Sequence, residues 1–486
     1  MIDNYKRFII LLAALLLCIF LIYISSVNYG IGLSPDSTHY ISISKNIIPD
    51  HSIVSSITEW DIVGEKSWNA LWPPLYPLFI IIPVLLHNYF KEIPFVILNG
   101  ILLFVTIFLT GMLLKRLVKT DKIIYLLSII LIIFSKWLFW IFCFIWSETL
   151  FIPLVIVYLL LFDNFIKSKS DRDYYFLLIS IAALSMTRYI GIFFFIPLFY
   201  YVCRTHFLFN LRRVIFFIAA GIPFLIYILM NYYYTKTIFG YRSNSENSWF
   251  DLAYRLIEGI NLWIFGYRPP IVLEYFIGSF FIIIIGFLLL RIWKINNEFY
   301  KIILISCGLL IIAVFVFASS SNVDKINFRF FSPVFIPLSI LIISSILSIF
   351  KKKYAVIIIL ILTISSGFVT ARSVFIYRTN GIGCFSAVEW KNSEIIGFIK
   401  NHKPDKIIYS NYPDAINYFT NEPAKLITGD LDKVPEMIKK IRSEKGMLVL
   451  LNKTTFRIVA DLKIISGMLG NQKSLRFSDG TIYFFD

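Results

Sequence analysis

Residues 334–353 read VFIPLSILIISSILSIFKKK. From Val334 to Phe350 the run carries no charge, and Lys351, Lys352 and Lys353 close it. With its flanks, such a run is long enough to cross the hydrocarbon core of a bilayer as a helix. Lysines at one end mark the side that stays in the cytoplasm. The same pattern recurs along the chain, with apolar blocks at Phe8–Tyr23, Val214–Met230, Ile271–Leu290, Ile302–Ala318 and Tyr354–Val369. The composition agrees: 58% of the 486 residues are hydrophobic and 16% charged. Soluble domains carry about 25% charged residues, so a cytosolic globular protein is excluded.

Working outward from these blocks, the sequence predicts about eleven spans, at 8–27, 93–114, 122–141, 149–166, 174–187, 189–203, 214–234, 271–290, 301–318, 331–350 and 354–373. If the N-terminus is cytoplasmic, the inner segments hold 18 basic residues against 6 acidic ones, while the outer loops hold 10 against 11. This surplus orients the chain as a multi-pass cell-membrane protein with its C-terminal region extracytoplasmic. It also accounts for most of the net charge of +16, so no nucleic-acid partner is expected. The first apolar run lacks a clear small-x-small cleavage site and reads as an uncleaved helix. The five cysteines suggest no disulfide framework.

The stretch Trp72–Phe90 is apolar but broken by Pro73, Pro74, Pro77 and Pro83. Counting it as a span would move every later basic cluster outside, so it is expected to be an interfacial or re-entrant helix on the outer face. Two domains follow. Residues 1–373 form a transmembrane domain with outer-face loops at 28–92 and 235–270. Residues 374–486 are polar and turn-rich, with short apolar runs around helical patterns such as Val434–Arg442. They read as a small soluble α/β domain.

The chemistry-bearing residues fall on the outer side. Ser34-Pro35-Asp36 predicts a helix start, with Ser34 as the cap, Pro35 in the first turn and Asp36 favoured there by the helix dipole. Tyr40, Ile43 and Ile47 follow at helical spacing and could lay that helix on the membrane surface. His39 could assist Asp36 or simply occupy the helix surface. Glu148 lies in Trp146-Ser147-Glu148-Thr149 at the outer end of two spans, where an ionisable group is a functional candidate. Alternatively, its carboxylate reaches interfacial water. Arg188 and Arg329 each interrupt apolar sequence and could bind a phosphate or anchor the interface. Lys325 lies close to Arg329. Arg242, Arg255 and Arg268 are weaker candidates. There is no nucleotide-binding loop, dinucleotide fingerprint or metal-type cysteine–histidine spacing, so no nucleotide is expected.

In order and spacing these segments resemble the GT-C class of lipid-linked-sugar glycosyltransferases, especially the bacterial aminoarabinose transferases and the dolichyl-phosphate-mannose protein mannosyltransferases. The matching pieces are Pro35 to Tyr40, Trp72-Pro73-Pro74-Leu75-Tyr76, Ser147 to Phe151, Thr187-Arg188-Tyr189-Ile190-Gly191, and Asn327-Phe328-Arg329-Phe330 before Pro333. The tail segment from Lys406 to Asp414 also looks like that of some bacterial members. Two positions depart from the pattern. Ser37 stands where many relatives have a second acidic residue, which puts a paired-carboxylate metal site in doubt. Arg188 stands where the aminoarabinose enzymes have a lysine.

The resemblance implies a polytopic α-helical transferase of the GT-C type. It would move one sugar from a polyprenyl-phosphate donor to a lipid, glycan or protein acceptor hydroxyl at the outer face, among membrane lipids. Asp36 is expected to be the base of an inverting displacement. Glu148 would orient the acceptor, share the base role or hold a divalent cation, and the metal requirement stays open. Arg188 and Arg329 would stabilise the leaving phosphate, with Tyr40, His39 and Lys325 expected at the substrate. The competing readings are a transporter or flippase for a lipid-linked sugar and a polysaccharide polymerase or ligase. The transporter reading predicts inverted repeats and broken midplane helices, and the sequence shows neither.

Overall fold

The computed structural model describes residues 2–118, 122–207, 210–240, 248–265, 270–294, 297–320, 328–453, 459–470 and 472–485. Lys325, Arg242 and Arg268 lie outside them. The chain is a polytopic α-helical membrane protein, and it divides into two compact units. The first comprises Met1–Val27, Leu71–Tyr76 and Val96–Thr379; the second comprises Asn28–Ala70, Pro77–Phe95 and Asn380–Asp486.

The first unit is helical. Each of the eleven apolar stretches falls on a helix or a helix pair. Among the described residues, seven helices are long and apolar enough to cross a membrane, and eight spans result if one bent pair counts as a span. That pair, Lys122–Ile133 and Lys136–Phe142, bends by 55°. At the break, Ser366 Oγ and Thr370 Oγ1 donate to the Phe134 carbonyl at 2.6 and 2.5 Å. Neighbouring hydroxyls thus satisfy a backbone group that the interrupted helix gives up. The Asp171–Thr187 helix has 17 residues, a rise of about 26 Å, slightly less than the ~30 Å hydrocarbon core.

The proline-broken stretch forms two short helices, Leu75–Phe79 and Ile81–Phe90. The ten residues of the second rise about 15 Å, half of what a span needs. Ile82, Leu85, Leu86 and Tyr89 are exposed at helical spacing, while Pro83 and Val84 are buried.

The second unit is built on a six-stranded sheet. Its strands lie in the order Ile57–Glu59, Ala424–Leu426, Ile408–Ser410, Met447–Leu451, Gly480–Phe484 and Ser474–Phe477. The first four are parallel and the last two pairings antiparallel. Residues 374–486, read from sequence as a separate domain, therefore share their sheet with a strand from the 28–92 loop. The central strand Met447–Leu451 is buried along its whole length, as expected for a strand covered on both faces. The Val434–Ser443 helix turns Val434, Met437, Ile438 and Ile441 inward at helical spacing, and Trp60 joins the same core.

The Pro35–Asp50 helix lies inside this unit. Tyr40 and Ile43 are fully buried, which corrects the reading of them as a membrane-surface face. The helix instead packs against the Val54–Ser55 strand, the Ile81–Phe90 helix and the Pro413–Thr420 helix of the tail. Most of its face is covered, leaving no continuous stripe for lipid.

Candidate functional site

The candidate residues form two clusters, one in each unit. In the first unit, Asn99, buried on the Ile93–Leu117 helix, donates through Nδ2 to the carbonyls of Phe142 and Phe144 at 2.9 and 2.8 Å. These bonds fix the turn that leads into the Glu148–Ser168 helix. Phe144 stacks on Trp146 at 4.1 Å, and Trp140 meets the same indole edge-on. Glu148 follows at the helix N-terminus, where the dipole favours a carboxylate, and its side chain is 1% exposed.

Two arginines close on it. Arg329, in the first turn of the Phe328–Ile349 helix, donates through Nε to Glu148 Oε1 at 2.5 Å and through Nη2 to Oε2 at 3.3 Å. Its guanidinium also lies over the Trp146 ring at 4.1 Å, a cation–π contact that further holds the charge. Arg188 Nη1 lies 2.7 Å from Glu148 Oε1 and donates to Ser147 Oγ at 2.9 Å. Arg188 occupies the extended residue between the Asp171–Thr187 helix and the Tyr189–Phe194 3₁₀ turn. Gly191 makes that tight turn possible, because a Cβ there would lie 2.3 Å from the Leu184 carbonyl oxygen.

Among the described residues, the Glu148 carboxylate lies between two guanidiniums. The arrangement therefore suits an added anion such as a phosphate, to which arginines present charge and paired donors. Glu148 was expected to orient the acceptor, share the base role or hold a divalent cation; here it is engaged by both arginines at once. Tyr76, quoted in the sequence motif but given no role, completes this cluster. Its phenol is fully buried and feels the charges of Glu148 and Arg329. Burial pushes its pKa up, so the phenol keeps its proton. Arg255 pairs with buried Glu258 at 2.8 Å, one turn along the Trp249–Phe265 helix.

In the second unit, Ser34 caps the Pro35–Asp50 helix as its sequence predicted, with Pro35 in the first turn. Ser37 completes the cap. Its N–H donates to Ser34 Oγ at 3.4 Å, and its own Oγ accepts from the Ser34 N–H at 3.0 Å. Serine thus does the work that Glu or Gln does in the usual capping box. Asp36 is half-buried in this first turn. His39 is 5% exposed, not on the helix surface. Its Nδ1 is 3.2 Å from Ser55 Oγ and its Nε2 is 3.4 Å from Asp414 Oδ1. Tyr40 packs in the interior. The sequence quoted Asp414 only as the end of a tail segment, and no local signal pointed to its contact with His39. Among the described residues, no three of His, Cys, Asp and Glu gather into a metal-binding group.

No known protein family matches the sequence, and no curated protein matches it. In fold the chain is similar to two crystal structures of ArnT from Cupriavidus metallidurans. With the form bound to undecaprenyl phosphate, the TM-score is 0.63 at 10% identity, covering 99% of this chain and 98% of that one. With the apo form it is 0.61 at 11% identity, over the same shares. At these identities the likeness is one of fold, and the fold is the GT-C one.

Proposed function

We propose that this chain is a membrane glycosyltransferase that moves a single sugar from a polyprenyl-phosphate carrier to an acceptor hydroxyl at the outer membrane face. The observation that carries this reading is the buried cluster in which Arg188 and Arg329 converge on Glu148. The bound undecaprenyl phosphate of the structural neighbour supports it. In the reaction, the acceptor oxygen attacks the anomeric carbon from the side opposite the phosphate and its proton passes to Asp36. The bond from the anomeric carbon to the phosphate oxygen breaks, inverting the centre. The polyprenyl phosphate leaves with its negative charge, which Arg188 and Arg329 stabilise where it develops. A phosphate leaving group needs positive charge more than a proton donor, which suits two arginines. Glu148 is assigned to hold both guanidiniums in place rather than to meet the acceptor.

The test uses the full chain in membranes with a panel of undecaprenyl-phosphate monosaccharides, following label into product. The wild-type chain should transfer at least one sugar. Asp36→Asn should lower that rate by about 10²–10⁴-fold, the usual contribution of a positioned base. Full activity in Asp36→Asn removes the assigned base. Passage of the lipid-linked sugar across the membrane without any transfer replaces the reading with a transporter.

A further inference from the structure

The second unit joins two segments far apart in sequence around the turn that bears Asp36. On the N-terminal side, tail residues hold the backbone just before the cap. The Phe385 N–H donates to the Leu33 carbonyl at 2.9 Å, and Ser386 Oγ donates to the Ile31 carbonyl. On the C-terminal side, Asp414, 2% exposed in the first turn of the Pro413–Thr420 helix, reaches two consecutive residues. Its Oδ1 is 3.4 Å from His39 Nε2 and equally far from Thr38 Oγ1, which also donates to the Pro35 carbonyl at 2.7 Å, so the tie runs through His39. A carboxylate only accepts, so Nε2 carries the proton in this contact.

The other side of the ring is tied as well. Ser55 Oγ, 3.2 Å from Nδ1, accepts the Ile57 N–H at 3.1 Å. Ile57 starts the strand that pairs with Ala424–Leu426. His39 is thus fastened between a tail helix and a strand of the shared sheet. Asp36 sits three residues earlier, between the two ties. A buried histidine with both ring nitrogens engaged is poorly placed to bind substrate, but it transmits position well through a rigid helical turn.

We infer that Asp414 is a positioning residue for Asp36, holding the first turn of the Pro35–Asp50 helix through His39, so that sugar transfer depends on the tail. This rests on the reading of Asp36 as the base. It gives the tail a task in the reaction itself, beyond covering the protein. A base displaced by about 1 Å loses 10- to 100-fold in rate, so the effect belongs in kcat and not in donor binding.

The experiment uses the full chain in membranes with the undecaprenyl-phosphate monosaccharide that the wild type turns over. Asp414→Ala should lower kcat by about 10-fold or more and leave KM for the donor within about twofold. Asp414→Asn keeps an accepting oxygen, and His39→Gln keeps an N–H near the place of Nε2, so both should retain most of kcat. His39→Phe should match the Asp414→Ala loss, and the double variant should lose no more than either single one, since both cut the same tie. Hydrogen exchange should speed up at residues 36–41 in Asp414→Ala and stay unchanged in the Met447–Leu451 strand. Wild-type kcat in Asp414→Ala would overturn the inference. So would losses that multiply in the double variant, or a loss confined to KM. Where Asp414→Ala does not accumulate, His39→Phe against His39→Gln carries the same comparison. If Asp36→Asn is inactive while Asp414→Ala and His39→Phe keep wild-type kcat, only this inference fails. If Asp36→Asn is active, the proposed base fails first.

Discussion

Replacing Glu148 with glutamine keeps the shape of the side chain and removes its charge. In the wild type the carboxylate accepts two bonds from Arg329, at 2.5 and 3.3 Å, and meets Arg188 at 2.7 Å. The arginine side chains are only 11% and 17% exposed, so neither can turn to bulk water without opening the cluster. Without the Glu148 charge the two guanidiniums face each other with one negative charge fewer between them. Removing one partner of a buried ion pair costs about 3–5 kcal/mol, mostly from the charge left behind. Glu148→Gln should therefore lower the apparent melting temperature of the detergent-solubilised chain by several degrees. Adding Arg188→Met should restore part of that loss, since it removes one of the two charges that Glu148 held, and the cycle should be strongly non-additive. The assay is thermal unfolding of the four proteins in one detergent, at low and high salt. An unchanged melting temperature in Glu148→Gln would refute the reasoning, and so would purely additive losses. Either result would mean that the carboxylate does not hold the arginines, and Glu148 would again be open to a direct role with the acceptor.

Three further outcomes follow from the geometry. Ser34→Ala removes the oxygen that accepts the Ser37 N–H and should cost about 1 kcal/mol of stability, read by thermal unfolding, with no change if the cap is ornamental. Burial raises the pKa of Glu92, while His87 and the Tyr418 hydroxyl, which donates to it at 2.6 Å, pull it back. A raised value means the stabilising contribution is complete below the ordinary glutamate range and is lost as the pH rises through the folded value. Glu92→Gln should accordingly resist urea better than wild type at pH 8 and no better at pH 4, and equal resistance at both would contradict the burial argument. A tryptophan at Leu85, on the exposed stripe of the Ile81–Phe90 helix, should be quenched by brominated lipid in proteoliposomes; emission indifferent to bromine would show that the stripe faces water.

The local features were legible because they depend on neighbours in sequence. Uncharged runs mark the helices, and the four prolines of Trp72–Phe90 foretell pieces too short to span. Ser34, Pro35 and Asp36 announce a helix start three residues long. The contacts that build the clusters were not legible. Glu148 and Arg329 are 181 residues apart, and Thr38 and Asp414 are 376 apart. Nothing local in either partner specifies the other. His39 shows the consequence: its spacing along the helix suits a surface position, and only the tail helix packed over it makes it buried. Ser37 is a local case: its reciprocal bonds with Ser34 explain a serine at that place once the cap geometry is known.

By itself, then, the amino-acid sequence determined that this is a multi-span membrane chain, roughly where most of its apolar helices lie, and which few polar residues interrupt the apolar blocks. Those properties follow from hydrophobic length, from capping chemistry and from the prolines that break helices, each acting over a handful of residues. Tertiary structure alone decided that Glu148 is clamped by two arginines, that a strand at Ile57–Glu59 completes the tail's sheet, and that Asp414 reaches the turn bearing Asp36. A buried charge is stable only where its partners converge on it, and that convergence is a property of the packed helices and sheet, not of any stretch of chain.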